Sequence, residues 1–200
     1  MTDRLAPPAF DPADAAAAAA RFAATAPADV RYAVLDSPVG RLVAARTSRG
    51  LACLSYEDHH GGIDAVLDHL AAKLSPRILE APARLDDVRR ELDEYFERRR
   101  TTFDLEIDWS LVSPFGRKVL RATAAIPFGE ISTYAQVAAR AGNPRASRAA
   151  GNALASNPMP IVLPCHRVLH TGGRGIGNYT GGVHRKEALL RLEGVLLGRA

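Results

Sequence analysis

The pattern of apolar and polar positions changes character part-way along this chain. Between residues 30 and 56 it reads as short β-compatible runs, Val30–Leu35, Arg41–Arg46 and Leu51–Tyr56. Asp36-Ser37-Pro38-Val39-Gly40 and Thr47-Ser48-Arg49-Gly50 divide them as turns, which predicts an antiparallel meander. Gly62–Leu74 then places Ile63, Val66, Leu67 and Leu70 on one helical face. A second helix is expected over Leu85–Arg100, its closing arginines matching the negative end of the helix dipole. Phe103–Ile107 resembles a last strand, and the composition shifts at Asp108–Ser113. The boundary between an α/β unit, 30–109, and a mostly helical one, 110–200, is placed there. Residues 1–29 form an Ala/Pro-rich extension, with a helix expected from Asp11 as N-cap and Pro12 as first residue, ending between Ala24 and Pro27.

From Pro114 onward the spacing is helical. Phe115–Ile126 forms one segment, and Pro127-Phe128-Gly129-Glu130 breaks it. Thr133 and Gln136 fit a capping box, in which each satisfies a first-turn amide of the next helix. That helix should run to about Ala141. Gly142-Asn143-Pro144 reads as a tight turn, with Asn143 as N-cap and Pro144 as first residue of a helix to about Ser156. Helix, turn, helix at this spacing is the outline of a DNA-binding corner. The second helix, Arg145-Ala146-Ser147-Arg148-Ala149-Ala150-Gly151, exposes small residues and arginines. Such a face suits close packing on another helix. It suits equally a narrow DNA minor groove, with an arginine reaching into the base stack.

Composition narrows the class. Two hundred residues, 47% of them apolar, can bury a core in one domain or two small ones. No apolar run of bilayer length occurs, and the N-terminus makes a poor signal peptide. Two cysteines, Cys53 and Cys165, are too few for a disulfide framework, so a reducing cytoplasm is expected. The net charge of +4 is unevenly spread. Residues 110–200 hold 12 Lys/Arg against 3 Asp/Glu, a net of +9. Residues 1–109 hold 14 against 19, a net of −5. Ordinary surface scatter can give such an asymmetry; a polyanionic partner, DNA or RNA first, explains it more directly.

The richest chemistry lies in Asn157-Pro158-Met159-Pro160-Ile161-Val162-Leu163-Pro164-Cys165-His166-Arg167-Val168. A thiol attacks as thiolate, and a free cysteine titrates at about 8.5, so it needs an adjacent base or positive charge. His166 and Arg167 follow Cys165 directly, and the prolines restrain the backbone around it. Cys53 sits in an alternating strand and reads as core. His59-His60 lacks further metal ligands at suitable spacing.

These features resemble the O6-alkylguanine-DNA alkyltransferase family. The resemblance covers about residues 30–194 and is tightest from Ile126-Pro127-Phe128-Gly129-Glu130 to Glu193-Gly194. It rests on the Pro-Cys-His-Arg-Val box, Asn157-Pro158, Asn178-Tyr179 and Arg185-Lys186-x-x-Leu189-Leu190-x-x-Glu193. It implies a ribonuclease-H-like α/β domain, then a mostly α domain with a winged helix-turn-helix. It implies repair of O6-alkylguanine by irreversible transfer of the alkyl group to Cys165. His166 would act as base through a water, Glu193 would orient the imidazole, and Asn157 would tie the recognition helix to the active-site turn. Tyr134 would crowd a DNA phosphate and donate to guanine N3. Val168, Tyr179, Thr180 and Leu154 would bind the base. Arg148 would fill the hole left by the flipped nucleotide, with Arg145, Ser147, Ala149 and Gly151 beside it on the DNA. Lys186 would be a buried structural lysine.

The same resemblance implies no cofactor and no metal, since the cysteines of a structural zinc site seen in some relatives are missing. It implies duplex DNA carrying O6-alkylguanine as partner, no membrane, and a monomer; O4-alkylthymine activity and cooperative assembly on DNA stay open. Three features depart from the family pattern: a loop between Cys165 and Tyr179 one residue longer, Leu120 where tryptophan is common, and Ala150 where valine is common. Three rival readings fit the sequence less well. A non-reacting lesion sensor would lack the cysteine, a thiol-sensing regulator would carry a further domain, and a cysteine hydrolase would need an oxyanion hole.

Overall fold

The computed structural model describes residues 12–25, 28–59, 61–170 and 176–195. Helix α1 spans Pro12–Thr25; its expected cap, Asp11, and the latter half of the expected Ala24–Pro27 stop lie outside the described residues. Strands β1 (Val30–Leu35), β2 (Leu42–Thr47) and β3 (Gly50–Tyr56) form the antiparallel meander that the pattern predicts. Helix α2 (Gly62–Lys73) follows. A strand that the sequence reading missed, β4 (Ile78–Glu80), then pairs parallel with β1. The sheet is therefore mixed, ordered β3-β2-β1-β4. Three residues are too few to carry a periodic signal, which is why β4 was not legible.

Alternation along the strands divides the core. One face turns Val30, Val43, Ala45 and Cys53 to Val66 and Leu70 of α2. The other turns Ala33, Leu35, Leu42, Ala44, Leu54 and Tyr56 toward α3 (Asp86–Phe96), which a 3-10 turn at Pro82–Leu85 introduces. Helix α3 stops well short of the expected Arg100. Arg98 adopts a left-handed φ of 59°, and Arg100 folds back to give Glu94 a 2.7 Å hydrogen bond. Phe103–Ile107 is not a strand; it makes a single bridge, Leu51 to Ile107. The outer edge of β3 is divided between two partners. The Leu51 amide donates to the Glu106 carbonyl, and the Leu54 amide donates to Pro158 of the C-terminal half, both at 2.8 Å. Gly50 permits the first approach, because a Cβ there would lie 2.3 Å from the Glu106 oxygen.

The second half is helical. Helix α4 (Pro114–Ala124) starts on a Ser113 cap. Strand β5 (Ser132–Thr133) leads into α5 (Tyr134–Arg140), which carries the predicted Thr133–Gln136 capping box. Helix α6 (Ser147–Ala155) completes the helix-turn-helix. It does not start at Asn143-Pro144. Gly142, at φ 87°, closes α5 by donating to Ala139, while Asn143 donates to Ala138. This Schellman arrangement consumes the residues expected to open the next helix, so α6 begins three residues beyond Pro144. A 3-10 turn at Cys165–Arg167 then runs into β6 (Val168–Leu169), which pairs parallel with β5. That pairing sets the cysteine turn beside the entry to α5. Helix α7 (Val183–Leu192) closes the described chain.

One apolar cluster joins the halves. Leu54, Tyr56, Leu92 and Tyr95 share it with Val119, Leu120, Met159, Ile161 and Leu189. Leu120 fills a fully buried position there. The 108–113 connection is pinned as well: buried Asp108 accepts from Thr47 at 2.5 Å and from Arg49 at 3.2 Å. Among the described residues no helix is long and apolar enough to cross a membrane.

Candidate active site

The segment from Asn157 to Cys165 is held in one shape. The Asn157 side-chain amide donates to the Leu163 carbonyl at 2.8 Å, and its oxygen accepts from the Met159 amide at 3.0 Å. Ile161 takes a left-handed φ of 75°, a conformation that a β-branched residue adopts only when its surroundings impose it. Here Pro160, full burial and the Asn157 clamp impose it. The same Asn157 amide donates to Cys165 Sγ at 3.2 Å. Burial pushes the Cys165 thiol above its ordinary value, while the Asn157 amide and the Lys186 charge pull the other way. Resting Cys165 is therefore a thiol with a thiolate-stabilising donor already in place.

Behind it lies a buried polar chain. His166 Nε2 and Glu193 Oε1 are 2.8 Å apart, both side chains fully enclosed. Burial, opposed by Glu193, keeps the imidazole below the ordinary histidine range, so it is neutral at pH 7. Burial alone would raise the Glu193 carboxyl, but the hydrogen bonds from His166 and Arg167 bring it down to about 2. A neutral imidazole facing a carboxylate carries its proton on Nε2. That leaves Nδ1, which has no partner among the described residues, as the basic nitrogen.

Glu193 accepts more than the sequence reading gave it. Arg167 grips it with two bonds, Nε to Oε2 and Nη2 to Oε1, each 2.9 Å. Tyr95 donates its hydroxyl to Oε1 at 2.7 Å, and the Gly129 amide donates to Oε2 at 3.2 Å. In the Pro-Cys-His-Arg-Val box Arg167 reads as a positive charge beside the thiol; in the fold its guanidinium holds Glu193. Tyr95 comes from α3, 98 positions away, and no local pattern points to it.

Lys186 is fully buried and donates to the Val168 carbonyl at 2.7 Å. Burial lowers its ammonium to about 8. The Val168 carbonyl expected to meet guanine thus already serves Lys186; a carbonyl has a second lone pair, so one further donor can be accommodated.

Tyr134, Ser147, Arg148, Gly151, Leu154, Cys165, Tyr179 and Thr180 surround one cavity of about 650 Å³. Arg145, just before α6, and Ala149, in its first turn, are exposed outside it. Asn157, His166, Val168 and Glu193 lie buried beneath it. Two histidines outside the predicted site also line it: His59, from the loop after β3, and His170, whose ring tilts against Tyr134 at 5.1 Å. Thr180 donates its hydroxyl to the Ala155 carbonyl at 3.1 Å, fastening the far wall to α6.

Residues 30–109 match the ribonuclease-like domain of 6-O-methylguanine DNA methyltransferase, and residues 114–195 match its DNA-binding domain. The methylated-DNA–protein-cysteine methyltransferase of rat is 37% identical over 182 residues, covering 85% of each chain. The chain belongs to the 6-O-methylguanine DNA methyltransferase family. The human methylated-DNA–protein-cysteine methyltransferase is 34% identical, covering 86% of this chain and 84% of its own. Among solved structures, the Mycobacterium tuberculosis O6-methylguanine methyltransferase aligns at TM-score 0.70 and 32% identity, covering 85% of this chain and 96% of that one. The M. tuberculosis protein in complex with DNA aligns at TM-score 0.70 and 31% identity, covering 82% and 93%. Membership of this methyltransferase family accounts for a cysteine placed beside a helix-turn-helix and backed by an imidazole and a carboxylate.

Proposed function

We propose that this protein repairs alkylated DNA by moving the alkyl group from guanine O6 to Cys165, once per molecule. The observation that carries the reading is Cys165 itself. Its sulfur meets an amide donor from Asn157, the His166–Glu193 pair stands behind it, and it opens into a cavity walled by α6.

The chemistry runs as an in-line displacement. His166 Nδ1 takes the thiol proton through a water, and Glu193 stabilises the imidazolium that forms. The sulfur anion attacks the alkyl carbon, the S–C bond forms, and the C–O6 bond breaks with its electron pair going to the base. A proton or hydrogen bond delivered to guanine N3 by Tyr134 eases that departure. The product thioether has no leaving path, so the protein is consumed.

O6 lies within the duplex, so the nucleotide must leave the stack at a cost of a few kcal/mol. Arg148, exposed at the start of α6, offsets part of that by taking the vacated space. Arg145, Ser147, Ala149 and Gly151 complete the face laid in the minor groove, residues 30–109 serve as scaffold, and Leu154, Tyr179, Thr180 and the Val168 carbonyl hold the base. We place the protein in the cytoplasm as a monomer; its two free cysteines are consistent with a reducing compartment.

Incubation with a duplex bearing one labelled O6-methylguanine tests this. Label should reach at most one equivalent of protein, and Cys165→Ala should transfer none while still binding DNA. Transfer by the alanine variant would remove the proposal.

A further inference from the structure

The cavity wall opposite α6 is formed by Tyr179 and Thr180, and a residue of the N-terminal sheet reaches it. Tyr56, the last residue of β3, is 1% exposed. Its hydroxyl oxygen lies 3.0 Å from that of Tyr179, and the two rings meet edge-on at 6.1 Å. Tyr179 in turn meets the His166 ring in a T-shaped pair, centroids 6.4 Å apart. A short chain of aromatic contacts therefore links the β-sheet to the base beside Cys165.

The surroundings fix Tyr56 tightly. The Arg185 guanidinium lies 4.4 Å from the centre of its ring, at a separation where cation–π attraction is effective. The same guanidinium donates to the Val39 carbonyl at 2.6 Å, to the Gly181 carbonyl at 3.0 Å and to Asp58 at 2.7 Å. Gly181, two residues after Tyr179, runs directly against the phenol: a Cβ there would lie 2.3 Å from Tyr56 Cε2. One aromatic ring thus determines where the backbone leaving Tyr179 passes, and one hydroxyl determines where Tyr179 points.

We infer that Tyr56 is a positioning residue for alkyl transfer, holding Tyr179 in the orientation that completes the base-binding wall, with Arg185 clamping the two segments together. Its contribution is made through Tyr179, not by contact with DNA, and it rests on the proposed role of Tyr179 in holding the base. This gives the N-terminal domain a direct hold on the reaction beyond scaffolding.

Tyr56→Phe keeps the ring and removes only the hydroxyl. In single-turnover transfer from a methylated duplex, the rate at saturating DNA should fall about 3- to 10-fold, the range expected for one hydrogen bond. Affinity for undamaged duplex should stay unchanged. Tyr179→Phe should slow transfer too, and Tyr56→Phe/Tyr179→Phe should be no slower than Tyr179→Phe alone. A purely structural Tyr56 would instead lower the melting temperature, leave the saturating rate intact and give additive effects; that pattern overturns the inference. Amide hydrogen exchange over residues 176–182 gives a readout independent of catalysis. Faster exchange in Tyr56→Phe supports the positioning role even if the wild-type protein transfers no label, an outcome that would remove only the functional reading. Equal exchange overturns the positioning role.

Discussion

The hydroxyl of Tyr95 and the carboxylate of Glu193 are joined by a 2.7 Å hydrogen bond that crosses from the N-terminal α3 to the residue closing α7. Tyr95 is fully buried, and burial, reinforced by the Glu193 charge, raises its phenol well above the ordinary value. It is a permanent donor. Both halves of the molecule therefore hold the carboxylate that orients His166. Tyr95→Phe should cost about 1–3 kcal/mol of stability, the range for a lost bond to a buried charge, and should slow transfer several-fold. Denaturant unfolding alongside single-turnover kinetics checks both effects. Unchanged stability would place the bond among the dispensable contacts.

Glu193 also sets an acid limit. Its carboxyl titrates at about 2 in the fold and near the ordinary glutamate value when unfolded. The unfolded chain binds the proton first as pH falls. The stabilisation is therefore complete above about 4.5 and is lost between there and about 2. His166, held below its ordinary range, adds to the decline from about 6.5 downward by the same sign rule, because the unfolded chain protonates first. Glu193→Gln should lower stability at pH 7 and flatten the decline between pH 4.5 and 2. Urea midpoints measured across that interval test the assignment, and an unaltered slope would contradict it.

Much of this arrangement was legible where its cause is local. The Thr133–Gln136 box appears as predicted, with Thr133 Oγ1 accepting from the Gln136 amide at 3.2 Å, because capping depends on four consecutive residues. The β1–β3 meander was legible because its turns carry Gly, Pro and Asp. Asn143-Pro144 misled because the same residues that can open a helix were consumed in ending α5, a choice that Gly142 decides. Phe103–Ile107 has strand composition, but the β3 edge that it meets at Leu51 is shared with Pro158, so it makes one bridge and no strand. The holders of Glu193 other than His166 had no such local cause. Tyr95 reaches it only after the two halves share a core, and Gly129 and Arg167 come from segments 64 and 26 positions away, beyond any spacing rule. The contact of Tyr56 with Tyr179, 123 positions apart, was hidden for the same reason.

The Asn157 clamp makes its own prediction. Its amide is the leading influence that lowers the Cys165 thiol against the effect of burial. Asn157→Ala should shift the pH profile of Cys165 alkylation by a small haloacetamide upward, and slow it at pH 7. It should also destabilise the fold, because the Met159 amide and Leu163 carbonyl lose a buried partner. Rates of modification between pH 6 and pH 10, with Cys53 separated by peptide mapping, measure it. Cys53 is a quiet internal reference, since burial pushes its thiol up to about 12. An unshifted Cys165 profile would remove the amide from the activation scheme.

Arg148 stands exposed at the second position of α6, on the cavity rim. Arg148→Ala should slow transfer from duplex by about tenfold or more, since part of the unstacking cost goes uncompensated. Its effect on transfer from the free base O6-methylguanine should be much smaller, because nothing then has to be flipped. Binding of the wild-type protein to undamaged duplex should weaken steadily as salt rises. Equal losses on duplex and free base would argue that Arg148 supports the fold and not the extrusion.

The most direct measurement is the mass of the protein after reaction with excess O6-methylguanine duplex. The account predicts one added methyl group per molecule, located by peptide mapping on Cys165, with repair stopping at one equivalent of restored DNA. Restored DNA beyond one equivalent, or a protein whose Cys165 remains unmodified after repair, would contradict it.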